Sequence, residues 1–381
     1  MHYNFKFLAG IYIHIPFCSQ ACIYCNFHFS TNLKTKTALL SAIKDEISDK
    51  TDYLGGEAVE TIYFGGGTPS LLNAKEIEGI LNALHKTFNI SSSPEITLEA
   101  NPDDLDNEKI KELKSAGINR LSIGIQSFNN TDLAFLNRAH NAAQAISCLE
   151  NAKANGINLL SIDLIYGIPG QDEDIWAANL DAVTKYNIPH FSAYALTVEP
   201  KTQLAHLISQ KKIAAVDEEQ SIRNFNTLMQ WVQNNNYLQY EISNFCTGNN
   251  YSKHNTAYWQ GKKYAGFGPS AHSFNGDTRQ WNIANNALYI KNIKEGNYFE
   301  LEPLSTAQKY NEYIMTALRT AWGIDPVYIN SNFGDTFSSY FEEGIRQFLK
   351  SGHVDKKDGA YILTNSGKLL ADGIISDLFV V

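Results

Sequence analysis

Residues 11–29 read IYIHIPFCSQACIYCNFHF. A short apolar run ends in a segment carrying Cys18, Cys22 and Cys25, spaced C-x3-C-x2-C. Three thiolates can hold three irons of a [4Fe–4S] cube and leave the fourth iron open to a small ligand. A structural zinc site is the other chemistry suggested by three close cysteines, but such sites usually add a second ligand pair of similar compactness. The remaining cysteines, Cys148 and Cys246, are isolated in the chain and read as small buried apolar residues.

The chain has 381 residues, 44% of them hydrophobic, which is enough for a large core and two domains. Five cysteines, an odd number with three clustered, do not form a disulfide framework. A solvent-accessible iron–sulfur cluster favours a reducing compartment. The N-terminus lacks a basic segment followed by a long apolar run, so no signal peptide is expected. No stretch approaches the length of a membrane span. The expectation is a soluble, cytoplasmic protein. A net charge of −9 argues against nucleic acid as the main partner.

Working outward from the cysteines, residues 11–194 alternate apolar runs with amphipathic segments. Strands are expected at Ile11–Ile15, Thr61–Phe64, Ile96–Leu98, Leu121–Ile125, Leu159–Leu164 and Phe191–Tyr194. Helices are expected at Thr37–Tyr53, Ala74–Thr87, Asn107–Ala116, Ala142–Asn155 and Asp174–Tyr186, several ending in glycine turns such as SAGINR and ANGINL. This alternation predicts an α/β protein with a partial (β/α)6 barrel, since no G-x-G-x-x-G follows the first strand. In a parallel barrel the chemistry sits at the C-terminal ends of the strands. Cys18, Gly65–Pro69, Glu99, Gln126 and Asp163 fall at successive strand ends.

The expected organisation is a barrel over residues 1–200, an extension and connecting segment over 201–305, and a C-terminal, mainly helical, winged-helix-like domain over 306–381. Residues 201–245 read as helix and turn, and 248–284 show little periodicity. In the last domain, helices Thr306–Thr320 and Thr336–Lys350 precede a hairpin turned at Asp358-Gly359, then a helix Gly367–Leu378. Winged helices often bind DNA, but residues 306–381 hold seven Lys/Arg against nine Asp/Glu, which leaves no basic face.

The strand TIYF runs into Gly65-Gly66-Gly67-Thr68-Pro69, which is not a P-loop because the lysine is missing. Glycines after a strand let backbone carbonyls and amides approach a ligand closely. The cysteine segment resembles that of the radical S-adenosylmethionine (SAM) enzymes. YIHIPFC…C..C, FGGGTPS, EANPDD, NRLSIGIQSF, LNRAH and DLIYGIPGQ together resemble their oxygen-independent coproporphyrinogen oxidase family, from Tyr12 to about Pro200. The resemblance implies a [4Fe–4S] cluster on Cys18, Cys22 and Cys25 whose open iron chelates SAM, and one electron from the cluster releases a 5′-deoxyadenosyl radical. It places Tyr12 and Tyr24 beside SAM, makes Gly66, Gly67 and Thr68 the methionine-binding loop, and puts Glu99, Gln126, Arg138 and Asp163 around the pocket. The chemistry suits them: an arginine can pair a carboxylate in a fork, and carboxylates and amides can bond ribose hydroxyls.

The chain departs from the decarboxylating oxidases in two ways. Phe27 stands where they carry a further cysteine, and only seventeen residues precede Cys18 where they have a longer segment. Both features resemble the HemW-type haem chaperone branch, which keeps the cluster and SAM motifs. In addition, HNTAYW at 254–259 resembles the HNxxYW segment proposed to bind haem in that branch. Imidazole is a good axial ligand of haem iron, and aromatic rings can pack on a porphyrin. His254 is therefore a candidate haem ligand, although a histidine followed by aromatics can equally pack against the barrel. His14 reads as a supporting residue, while His28 has no assigned role.

Three readings follow. The first is a haem-binding protein that hands haem, or another porphyrin, to membrane-bound respiratory haem proteins. The second is radical decarboxylation of coproporphyrinogen III propionates to vinyl groups, against which Phe27 and the short N-terminus weigh. The third is a radical SAM enzyme with another substrate.

Overall fold

The computed structural model describes residues 9–380. Expectations touching residues 1–8 and Val381, including the absence of a leader, lie outside the described residues. Six parallel strands pair in sequence order: β1 (Ala9–Ile15), β2 (Val59–Gly66), β3 (Ile90–Ala100), β4 (Arg120–Gln126), β5 (Leu159–Tyr166) and β6 (His190–Ala195). Between them run α1 (Lys36–Asp49), α2 (Ala74–Thr87), α3 (Asn107–Ser115), α4 (Asn130–Phe135), α5 (Ala142–Ala154) and α6 (Glu173–Lys185).

The helix boundaries have local causes. Asn73 with Glu76, and Asn141 with Gln144, form reciprocal capping boxes at the starts of α2 and α5. The expected glycine turns follow α3 and α5, where Gly117 and Gly156 adopt positive φ. α1 stops at Asp49, four residues before the expected Tyr53.

Alternation within the strands divides the sheet into two faces. Ile11, Ile13 and Ile15 of β1 face the helices, where they join Leu39 and Ile43 of α1, Ile77 and Ile80 of α2 and Trp176 and Leu180 of α6 in one apolar core. Tyr12 and His14 alternate with them and belong to the concave face. Such a polar interior differs from the branched aliphatic filling usual in closed barrels.

The sheet does not close on itself and runs on past residue 200. β7 (Leu238–Glu241) and β8 (Asn244–Cys246) add antiparallel strands beyond β6. On the other side β9 (Lys263–Phe267) pairs parallel to β1, followed by β10 (His272–Phe274), β11 (Thr278–Asn282) and β12 (Phe299–Pro303). Residues 201–245 thus contain strands besides helix and turn, and the aperiodic stretch 248–284 contains three strands and a helix, Lys253–Trp259.

The C-terminal region is mainly helical and has its own apolar cluster, including Tyr310, Ile314, Ile329, Phe341, Ile345 and Ile374. Its hairpin pairs β13 (Val354–Lys357) with β14 (Ala360–Leu363). Asp358 and Gly359 turn it, both at positive φ as the tightest hairpins require. A helix Pro326–Phe333 lies between the two expected ones, and the last expected helix breaks at Leu370 into Asn365–Leu369 and Ala371–Asp377.

Candidate functional site

The concave mouth is assembled from loops and strand ends that hold one another. The cysteine segment follows β1. It is stitched to the glycine loop by backbone bonds from Gly67 N–H to the Ile15 carbonyl (2.9 Å) and from Thr68 N–H to the Phe17 carbonyl (2.6 Å). A Cβ on Gly66, whose φ is 109°, would lie 2.6 Å from the His14 ring, and one on Gly67 would lie 2.6 Å from the Phe17 carbonyl oxygen. The space spared by Gly66 is therefore filled by a histidine, so both glycines are needed for packing the two loops together.

Cys18, Cys22 and Cys25 are half-buried, while Cys148 and Cys246 are buried. Burial pushes the Cys18 thiol up to about 11 and raises Cys25 as well. Bound iron would reverse that balance, because a coordinating thiol is deprotonated outright. Among the described residues no three His, Cys, Asp or Glu side chains converge as ligands of a single ion would. A cube takes one thiolate per iron and does not ask for such convergence.

Arg138 follows α4 and spans the site. Its Nη1 donates to Cys22 Sγ (3.2 Å), and its Nη2 donates to Asn101 Oδ1 (2.6 Å) and the Gly124 carbonyl (2.7 Å), while its buried Nε has no partner. Asn101 in turn donates to Thr68 Oγ1 (3.2 Å), so one amide couples the glycine loop to the arginine. Tyr24 lies close enough to Cys22 and Arg138 for both to influence its phenol, whose pKa burial raises.

Two carboxyls complete the mouth. Glu99 accepts from Tyr63 Oη (2.8 Å) through Oε1 and from Gly66 N–H (3.1 Å) through Oε2. Burial pushes its pKa up to about 7, against the pull of these two donors, and Asp163 adds to the rise. Asp163 is pushed up to about 6 by burial, with the Ser192 hydroxyl and Arg138 acting in the opposite direction. β5 continues to Tyr166, so Asp163 sits inside the strand rather than at its end. Gln126 is buried at the end of β4 with a left-handed φ of 66°. A non-glycine residue held there stores strain of the kind that clusters at ligand sites, about 1–3 kcal/mol.

Tyr12 reaches the same region: its hydroxyl bonds His14 Nδ1 (3.2 Å), and His14 Nε2 donates to the His28 carbonyl (3.0 Å), just past Cys25. His14 is thus a brace of the cysteine segment, held neutral by burial with its pKa lowered to about 4. His28 Nε2 bonds Asn286 Oδ1 (2.8 Å) and ties the segment to the helix Asn286–Asn292. His254 is not brought to the mouth. It is buried, and both ring nitrogens are engaged, Nδ1 with Thr61 Oγ1 and Nε2 with Tyr258 Oη, each at 2.8 Å. The expectation that it offers an imidazole to haem iron finds no free nitrogen here. Sequence reasoning passed over Tyr63, Asn101 and Ser192. Asn101 lies within the EANPDD motif and Tyr63 within the strand TIYF, where alternation places it on the same face as Tyr12.

These residues fit a three-thiolate cluster beside SAM. Half-buried carboxyls without an ion-pair partner among the described residues suit hydroxyl donors. An unpartnered buried guanidinium N–H suits an anion. A radical SAM superfamily model matches residues 12–182. A protein named "Heme chaperone HemW" from Bacillus subtilis (strain 168) is 32% identical over 371 residues, covering 96% of this chain and 98% of that protein. One of the same name from Mycobacterium tuberculosis (strain ATCC 25618 / H37Rv) is 30% identical, covering 97% and 94%. The solved coproporphyrinogen III oxidase HemN of Escherichia coli superposes with a TM-score of 0.84 at 24% identity, over 98% of this chain and 90% of that one, which establishes a shared fold. With the cysteine segment, the glycine loop and the full-length likeness in agreement, the chain belongs to the HemW family of the radical SAM superfamily.

Proposed function

We propose that this protein carries a [4Fe–4S] cluster on Cys18, Cys22 and Cys25, binds SAM in the mouth, and binds haem that it passes to membrane-bound respiratory haem proteins. The observation that carries the haem reading is the full-length relationship to proteins named heme chaperones. Phe27 adds to it: where the decarboxylating oxidases carry a cysteine, this chain presents an aromatic ring that is 68% exposed. The five free cysteines suit a reducing compartment, the cytoplasm. No helix among the described residues is long and apolar enough to cross a membrane.

The cluster, when bound, supplies a single electron to the sulfonium of SAM. The chain's own residues bind and orient. Thr68 and the glycine loop would hold the methionine end through backbone groups, and Arg138, whose Nε has no partner, would pair its carboxylate. Glu99 and Asp163 would take up ribose hydroxyls, and Tyr24 and Gln126 would line the same pocket. Burial raises the Glu99 carboxyl to about 7, so the charged form that accepts through both oxygens gains population as pH rises through that value.

The test is anaerobic reconstitution followed by separate assays for haem binding and coproporphyrinogen turnover. A shifted Soret band, haem transfer to haem-depleted respiratory membranes and no decarboxylation are expected. Robust formation of protoporphyrinogen would overturn the chaperone reading in favour of the oxidase.

A further inference from the structure

The HNTAYW segment is built into the floor of the partial barrel. Lys253 N–H, at the start of its helix, donates to Glu95 Oε1 (2.9 Å). Arg120 Nη1 donates to the Tyr251 carbonyl (3.2 Å), and Glu95 and Arg120 pair with each other at 3.5 Å, both buried. From that floor the His254 ring stacks against Tyr63, with centroids 5.0 Å apart and planes inclined by 23°. Tyr63 also stacks against Tyr12 at 6.1 Å and 24°. The Tyr63 hydroxyl holds Glu99, whose second oxygen holds the glycine loop. Gly65 has no spare room beside them: a Cβ there would lie 2.9 Å from the Tyr63 ring and 3.0 Å from both Glu99 and Tyr12.

We propose that His254 is a positioning residue for SAM: by packing against Tyr63 it fixes the hydroxyl that aims Glu99 into the mouth. The proposal rests on the reading above that Glu99 faces SAM. A neutral, fully hydrogen-bonded ring is suited to this role. Burial lowers its pKa to about 3, so it brings no charge into the aromatic stack and both nitrogens spend their bonding on Thr61 and Tyr258. Removing the ring leaves Tyr63 unsupported on the floor side, and a phenol free to swing no longer presents its O–H to one carboxylate oxygen.

The test measures SAM affinity by equilibrium dialysis, with cluster iron and the haem Soret band, on the full chain reconstituted anaerobically. His254→Ala should weaken SAM binding about tenfold, the scale of one lost aromatic contact. His254→Phe keeps a ring but no ligating nitrogen, and should stay within about threefold of wild type. Tyr63→Phe, which removes only the hydroxyl, should weaken SAM as His254→Ala does, and the double variant His254→Ala/Tyr63→Phe should be no weaker than the weaker single one, because both act through the same bond. The two phenylalanine variants change little volume, so the test survives if His254→Ala fails to fold. Additive effects in the double variant, or unaltered SAM affinity in His254→Ala, would overturn the proposal. So would loss of the haem Soret shift in both His254 variants with SAM affinity intact, which would return the imidazole to haem iron. Wild-type protein that binds no SAM would bring down the reading of the mouth itself before any variant is compared.

Discussion

Inside the partial barrel the facing side chains are Tyr63, Glu99, Ser122, Gln126 and Asp163, whereas inside residues 306–380 they are Ile314, Ile329, Phe341, Ile345 and Ile374. The second set contributes to stability by removing apolar surface from water. The first set, the Tyr63 ring apart, does not. Its strands are held by the apolar layer on the other face of the same sheet, leaving the concave face free to carry carboxyls whose pKa values burial has raised and a residue in a left-handed conformation. Stability and chemistry are thereby assigned to different sides of one sheet, and to different regions of one chain.

The largest expected effect tests the mouth. Replacing Cys18, Cys22 and Cys25 together by alanine should abolish the roughly four irons per chain that a reconstituted cube supplies, read by iron and sulfide analysis. Replacing Cys148 and Cys246 should leave the iron in place, and iron retained by the triple variant would remove the assignment. Next comes the apolar region: Phe341→Ala should cost about 3–5 kcal/mol, as deletion of a buried aromatic ring does. It should lower the thermal midpoint while SAM affinity below the transition stays at wild-type level, and a parallel loss of SAM affinity would break the division of labour.

Gly66→Val returns to the mouth. A β-branched residue at φ 109°, with its Cβ against the His14 ring, should strain the loop by about 1–3 kcal/mol. The SAM-dependent change in the electron paramagnetic resonance spectrum of the reduced cluster should disappear, and an unchanged response would show that the loop tolerates a side chain.

The smallest effect is one of pH. With Glu99 near 7, its ionised fraction rises about tenfold between pH 6 and pH 8, so SAM should bind up to about tenfold more tightly at the higher pH. Glu99→Gln should flatten that dependence. The sign for stability is opposite. A folded-state pKa raised above the ordinary carboxyl value contributes stability that is fully present below about pH 4.5 and lost as pH rises through about 7. Without SAM, the thermal midpoint of the wild type should therefore fall relative to Glu99→Gln over that range. A gap that widens the other way would contradict the raised value.

The six parallel strands and five of the helices between them were legible because those helices are long enough to show their period, and most are closed by a capping residue or a glycine turn, as at Asn73, Asn141, Gly117 and Gly156; the six-residue α4 is too short to show a period and was missed. Strands β7 to β12 were not, since three to five residues between glycines and asparagines carry no periodicity. The mouth was readable because its residues cluster in motifs at strand ends. The orientation of His254 was not, because its decisive partner, Thr61, lies 193 residues away in the chain.

β1, the strand that leads into the cysteines, has neighbours from two distant parts of the chain, β2 directly after it and β9 from residues 263–267. Only with β9 in place is β1 paired on both edges; without it, the backbone donors and acceptors on one side of β1 face outward as those of an edge strand do. The support of the cysteine segment therefore draws on two parts of the chain far apart in sequence, and a break between them would leave the strand before the thiols open on one side.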